Sequence, residues 1–275
     1  MAIAYDKQYS PVIRYPGSKW KIAKQIVGYM PEHRSYLEPY FGSGAVLFNK
    51  PQSPIETVND LDDRVYSLFR IVRDEPAKLA NLVQMTPFSR TEYEGTFNNK
   101  KEAVSELELV RRFLIQCWQG YGFRTNGYKV GWKNDVQGRE AAYAVHNWNR
   151  LPNWIMDATE RLKQVQITKE SAIDLIKRFN YENVLIYADP PYLLETRAGK
   201  QYRHEMTKAD HIELLETLRE HKGLAMVSGY DSDLYNQVLH DWYKVEFNTT
   251  AEKGAKRKDI LWMNFEPIEQ MTFWE

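Results

Sequence analysis

The chain has 275 residues, 43% apolar and 27% charged, with a formal net charge of zero. That composition allows one large domain, or one domain carrying an insertion, and excludes a disordered or collagen-like chain. No apolar run approaches the ~18 residues of a membrane span, the first residues carry no secretion-signal pattern, and the single cysteine, Cys117, fits a buried thiol in a reducing, cytoplasmic setting.

Balanced charge gives no bulk support for nucleic-acid binding, so such a role must rest on local patches. Arg14-Tyr15-Pro16-Gly17-Ser18-Lys19 places a Pro-Gly turn before an amphipathic segment containing Trp20, Ile22, Ile26 and Val27. A helix is predicted there with Ser18 as its N-cap, and Lys19 beside that helix start can hold an anion. It is not a P-loop, because Gly-x-x-x-x-Gly-Lys-Ser/Thr is absent.

Tyr36-Leu37-Glu38-Pro39-Tyr40-Phe41-Gly42-Ser43-Gly44 predicts a short strand, a glycine turn that lets the backbone pass close to a ligand, and then a helical apolar pattern. A dinucleotide fingerprint needs a third glycine or alanine where this chain has Leu47, which argues against NAD. A second strand over residues 55–58 ends in Asn59-Asp60. Asp60 lies where an acid reaches a ribose hydroxyl pair, or else it only caps the helix that follows. That helix carries Leu61, Val65, Leu68, Phe69 and Val72 on one face and is closed by Arg70, Arg73 and Pro76.

Residues 87–163 differ in character. They lack β-branched runs, are rich in Trp and Tyr, and between positions 119 and 150 carry Arg124, Lys129, Lys133, Arg139 and Arg150 against Asp135 and Glu140. They read as a mostly helical insert, with helices near 102–119 and 154–165 around a basic, aromatic loop; a solvated loop over a small aromatic core is the alternative. The sheet resumes at residues 165–168, and a short helix starts after Lys169-Glu170-Ser171.

Val184-Leu185-Ile186-Tyr187-Ala188 has no polar alternation and reads as a strand buried on both faces. It stops at Asp189-Pro190-Pro191-Tyr192, where two prolines cannot donate to a ladder. The motif therefore lies at the carboxyl edge, where open α/β sheets bind ligands. Arg197, Lys200, Tyr202 and Arg203 follow in a candidate mobile loop. A helix capped by Thr207 then places Ile212, Leu215 and Leu218 inward. A buried strand over residues 224–227 ends in Ser228-Gly229-Tyr230. Two final strands flank Lys253-Gly254-Ala255-Lys256-Arg257-Lys258, a solvated hairpin tip or a phosphate contact. Neither a zinc-site spacing nor a Gly-x-Ser-x-Gly elbow occurs.

Taken in order, Arg-Tyr-Pro-Gly-Ser-Lys, Glu-Pro-Tyr-Phe-Gly-Ser-Gly, Asn-Asp and Asp-Pro-Pro-Tyr resemble the Dam-like DNA adenine-N6 methyltransferases over most of the chain. The resemblance implies an α/β class I methyltransferase sheet, mostly parallel with an antiparallel edge hairpin. It implies a catalytic domain from 1–86 and 164–275 and a target-recognition insert at 87–163. It also implies S-adenosylmethionine (AdoMet) as cofactor and double-stranded DNA as substrate. A monomer without membrane attachment is expected, and a cognate restriction endonuclease is left open. The positions matching cofactor contacts are Tyr15, Lys19, Glu38, Gly42, Gly44, Asp60, Ser171 and Asp189, and those matching the catalytic motif are Asp189, Pro190, Pro191 and Tyr192. Tyr15 stands where the family often has Trp, and Ser171, with Glu170 before it, where relatives often have an acid facing the cofactor adenine. Arg124 and Asn126 resemble a DNA-contacting loop, and Lys256, Arg257 and Lys258 are candidate phosphate contacts. Cytosine-N4, RNA or protein amide methylation, or a silent DNA-binding relative, remain as alternatives.

Overall fold

The computed structural model describes residues 7–98, 104–134, 136, 143–250 and 256–267. Strands β1 (Ser35–Glu38), β2 (Ile55–Asn59), β3 (Val165–Thr168), β4 (Val184–Ala188), β5 (Leu224–Tyr230), β6 (Tyr243–Thr250) and β7 (Lys256–Met263) form one seven-stranded sheet. Its order is β3-β2-β1-β4-β5-β7-β6; β7 runs antiparallel to both β5 and β6, and all other pairings are parallel. The chain leaves β1 toward one edge and β4 toward the other. The crevice this reversal opens lies above the carboxyl ends of these two central strands.

Successive strand residues point to opposite faces, and the two cores separate accordingly. Tyr36, Leu185, Tyr187 and Leu261 face one core, which also takes residues from α1 (Ala23–Gly28), α2 (Asp63–Asp74), α3 (Pro76–Gln84), α4 (Arg90–Gly95), α5 (Glu106–Gln119) and α6 (Tyr143–Leu162). Leu37, Ile186, Ala188 and Trp262 face the other, with residues from α7 (Ala172–Arg178), α8 (Lys208–Arg219) and α9 (Asp233–Val238). Every residue of β4 is buried, as its unbroken apolar run requires.

Several local expectations are corrected. Ser18 caps no helix: α1 begins at Ala23, and the Ser18 hydroxyl is 2.8 Å from that of Ser43, tying the Pro-Gly turn to the glycine turn. After Gly44 only a single 3-10 turn, Leu47–Asn49, follows. Asp62, not Asp60, caps α2, accepting from the Arg64 amide at 3.0 Å, while Leu61 is half exposed instead of joining the buried row. The helix expected at 154–165 begins eleven residues earlier and runs through Pro152. Trp148, Leu151 and Ile155 are buried on either side of that proline, and the Trp148 indole donates to the Thr86 carbonyl at 2.8 Å. Tertiary packing therefore holds both halves despite the lost backbone bond. The helix expected at 102–119 starts at Glu106, capped by Ser105. Lys256, Arg257 and Lys258 belong to β7, not to a loop.

Candidate active site

Three strand ends meet at one cavity of about 450 Å³: Glu38 closing β1, Asp60 just after β2 and Asp189 just after β4. The volume falls in the ordinary range for small-molecule sites, ~300–1,000 Å³. Gly42 and Gly44 both adopt positive φ, +50° and +68°, which only glycine takes without strain. The Gly42 amide donates to Asp60 Oδ2 at 2.8 Å, and the Asp62 amide to Oδ1 at 2.9 Å. Burial nevertheless pushes the Asp60 carboxyl up to about 7. A Cβ on Gly42 would lie 3.2 Å from the Tyr15 ring, so the absent side chain lets Tyr15 close over the turn. Tyr15 in turn lies 6.1 Å from the ring of Tyr202, whose hydroxyl donates to the Pro16 carbonyl at 3.1 Å.

Glu38 accepts from the Tyr36 hydroxyl at 2.8 Å, and its burial pushes its carboxyl up to about 8. At the end of β2, Asn59 clamps the floor: its side chain accepts from the Glu170 amide at 2.9 Å and donates to the Glu170 carbonyl at 3.1 Å. Ser171 lines the cavity, but its hydroxyl caps α7 through the Asp174 amide, and the Glu170 carboxylate is held by Arg178 at 2.7–2.8 Å.

Asp189 is tied across the cavity to Lys19, whose ammonium lies 2.8 Å and 2.9 Å from the two carboxylate oxygens and 2.7 Å from the Gly17 carbonyl. Burial raises the Asp189 carboxyl, and Lys19 pulls it part of the way back. The same ammonium sits 4.7 Å over the ring of Tyr192. Pro190 is buried, and Pro191 lines the cavity. Tyr192 is itself buried. Its hydroxyl donates to Asp259 at 2.8 Å, and its ring meets that of Tyr230 edge-on at 4.6 Å.

The candidate DNA-contacting residues lie elsewhere. Arg124 covers the Tyr128 ring at 5.4 Å. Asn126 accepts from the Tyr128 amide at 3.1 Å and donates to the Lys200 carbonyl at 3.0 Å, so it joins two loops. Lys258 pairs with Glu246 at 2.7 Å on the outer face of the hairpin, while the side chains of Lys256 and Arg257 lie outside the described residues.

Two structural ties go beyond the sequence-based expectations. Thr125 bonds the segment expected to be mobile, accepting from the Arg203 amide and donating its own amide to Gln201, both at 2.8 Å; Glu205 accepts from the Gln201 and Tyr202 amides at 2.6 Å and 2.9 Å. Arg64 reaches the Thr125 carbonyl at 2.7 Å from the first turn of α2. A cation there opposes the helix dipole, and that mismatch is the one local signal that Arg64 serves a distant partner. Among the described residues no cluster of His, Cys, Asp and Glu could hold a metal ion, and no helix is long and apolar enough to cross a membrane.

A mostly parallel seven-stranded sheet with β7 reversed beside β5, and a glycine turn bonded to Asp60 at its carboxyl edge, is the arrangement of a class I methyltransferase. Within that class the chain belongs to the D12 class N6 adenine-specific DNA methyltransferases, whose family model matches residues 15–258. It is 23% identical to the type II methyltransferase M.MjaIII of Methanocaldococcus jannaschii over 297 residues, covering 94% of this chain and 100% of that one. It is also 23% identical to the modification methylase StsI of Streptococcus sanguinis over 261 residues, covering 87% of this chain but spanning only 39% of that relative. Among solved structures, a SAM-dependent methyltransferase from Agrobacterium tumefaciens aligns at a TM-score of 0.36 and 10% identity, covering 90% of this chain and 61% of that one. The protein is an adenine-specific DNA methyltransferase with AdoMet as its cofactor.

Proposed function

We propose that the chain methylates N6 of an adenine turned out of duplex DNA, by direct attack of that nitrogen on the cofactor methyl. The observation that carries this reading is the seat at Asp189. An amino-type nitrogen, that of Lys19, is already held against both carboxylate oxygens and over the Tyr192 ring, in the cavity that also contains the glycine turn and Asp60.

Bound AdoMet supplies a methyl activated by a positive sulfur that leaves without further help. The Gly42–Gly44 turn, Asp60, Glu38, Tyr15 and Lys19 are the residues that would hold it, with Asp60 receiving the ribose hydroxyls and the Ser171 segment lining the adenine edge. Adenine N6 is a poor nucleophile because its lone pair is delocalised into the ring. Asp189 and the Pro190 carbonyl accept hydrogen bonds from its two N–H groups and draw the nitrogen toward a tetrahedral shape. Proline fixes the direction of that carbonyl. Positive charge would then build on N6, where the Asp189 carboxylate stabilises it, and the surplus N6 proton would leave by way of Asp189 to solvent, giving neutral N6-methyladenine.

Turning the base out costs a few kcal/mol, and stacking on Tyr192 returns ~1–3 kcal/mol. Net affinity therefore has to come from phosphate contacts. We assign these to the basic loop of the 87–163 insert, with Arg124 and Asn126, and to Lys256, Arg257 and Lys258 of the hairpin. Helix α6 closes the insert but packs on α2 and α3, so its reading surface is the loop side. The type II relatives favour a restriction–modification setting.

The test is incubation with labelled AdoMet and duplex DNA, followed by digestion to nucleosides. N6-methyladenine is expected; methylcytosine, or no transfer, would overturn the reading.

The carboxyls at about 7 and about 8 add a pH dependence. Ribose hydroxyls bind the ionised form of Asp60 and a cationic amino group the ionised form of Glu38, so cofactor binding expels protons. AdoMet affinity is expected to fall as pH drops below about 8, where Glu38 takes up its proton, and more steeply below about 7, where Asp60 does, by about tenfold per unit for each proton released. On folding the sign is opposite: with the folded values raised, the stability these groups contribute is present at low pH and lost as pH rises toward about 7 and about 8. Titration calorimetry in two buffers of different ionisation enthalpy measures the release directly, and Asp60→Asn is expected to reduce it.

A further inference from the structure

We propose that Asp259 is a positioning residue for methyl transfer: its carboxylate anchors the Tyr192 hydroxyl and so sets the tilt of the ring on which the target base stacks. This rests on the adenine-N6 reading above and adds to it a residue outside the Asp-Pro-Pro-Tyr motif.

Asp259 stands in β7, where the run that follows, Ile260, Leu261 and Trp262, is buried. An acid at such a position is costly unless its oxygens are engaged. Both are: Oδ1 accepts from the Tyr192 hydroxyl at 2.8 Å, and Oδ2 from the Thr249 hydroxyl of neighbouring β6 at 2.6 Å. The ladder sets Asp259 opposite Tyr230 of β5 on one side and Phe247 of β6 on the other. Tyr230 is the residue whose ring meets Tyr192 edge-on at 78°. The Tyr192 ring is thus held at its hydroxyl by Asp259 and at its side by Tyr230, with Lys19 over one face.

A ring whose far end is free to swing about the Cα–Cβ bond presents its face to a base at the right tilt only part of the time. A charged acceptor at the far end of the ring removes that freedom, because a charge-assisted bond is both shorter and stronger than a neutral one. Strand alternation adds a connection: Lys258 points outward to Glu246, while Asp259 next to it points inward to Tyr192. The strand offered to the DNA backbone is therefore the one that carries the anchor.

The experiment is a double-mutant cycle with Asp259→Ala and Tyr192→Phe, read by single-turnover transfer at saturating AdoMet and DNA. Tyr192→Phe removes only the hydroxyl, and Asp259→Asn, which keeps an acceptor oxygen, serves as the conservative control. Each of the first two is expected to slow transfer by about tenfold, since small misplacements of reacting groups cost one to two orders of magnitude. AdoMet affinity should stay within about twofold, and the double variant should be no slower than either single one. Asp259→Asn, which keeps the acceptor without its charge, should fall between Asp259→Ala and wild type. 2-Aminopurine at the target position should show a changed fluorescence in Asp259→Ala and Tyr192→Phe alike. Losses that multiply in the double variant, or an unimpaired Asp259→Ala enzyme, would overturn the proposal. If Asp259→Ala proves unstable, Tyr192→Phe and Asp259→Asn decide it: a Tyr192→Phe enzyme at full rate rejects the anchor. Failure of the wild-type enzyme to methylate adenine would instead reject the underlying reading.

Discussion

Asp189→Ala is expected to lower single-turnover methyl transfer by on the order of 10³-fold or more, while AdoMet still binds. Losing one preorganised group at a charge-developing centre costs ~10²–10³, and here the same carboxylate also orients the attacking nitrogen. The variant has a second consequence. Lys19 is only 5% exposed and loses its ion partner, keeping the Gly17 carbonyl and the face of the Tyr192 ring. An uncompensated buried charge costs about 3–5 kcal/mol, so Asp189→Ala should melt earlier as well as turn over more slowly. Combining it with Lys19→Met separates the two effects. The double variant is expected to recover the melting temperature and none of the transfer. Thermal melting and quantified N6-methyladenine check both halves, and substantial methylation by a folded Asp189→Ala enzyme would reject the assigned role.

The parts of the site built from adjacent residues are legible in the amino-acid sequence alone. The unbroken apolar run of β4 predicts a doubly buried strand, and the prolines after it predict where it stops. The spacing from Gly42 to Asp60 anticipates an acid at the end of β2, and the backbone bond between them follows from that placement. Contacts that cross the sheet carry no such signature. Lys19 and Asp189 are 170 positions apart, and Tyr192 and Asp259 are 67 apart; nothing local in either pair identifies its partner. Ser18 has the composition of a helix cap, yet its hydroxyl meets Ser43 because two turns are packed together. Pro152 carries the local signal of a break, and the burial of Trp148 and Leu151 overrides it. At both positions tertiary packing outweighs a genuine local preference.

Glu56→Leu is expected to be the most damaging single change to the fold, although it lies away from the cavity. Glu56 is 1% exposed in β2 and is gripped by both arms of Arg161 from α6, by Lys50 at 2.7 Å and by the Ser53 amide at 3.1 Å. Removing the acid strands two buried cations, and breaking such a pair costs about 3–5 kcal/mol for one cation alone. At ~2–4 °C per kcal/mol for a chain of about this size, the melting temperature should fall by roughly 6–20 °C. The sign with pH follows from the same contacts. Burial pushes the Glu56 carboxyl up, but Arg161 and Lys50 together hold it below the ordinary carboxylate value. Its contribution is therefore present above that ordinary value and lost as pH falls through the lowered one. Thermal melting across acid pH should show a steeper loss in wild type than in Glu56→Gln. Replacing the whole triad, with Lys50→Met, Glu56→Leu and Arg161→Met, removes the stranded charges along with their desolvation cost. That protein is expected to melt near wild type or above it. If it does, the triad's value lies in fixing the register of α6 against the sheet rather than in net stability. If it instead melts as low as Glu56→Leu, the ion pairs themselves hold the two together.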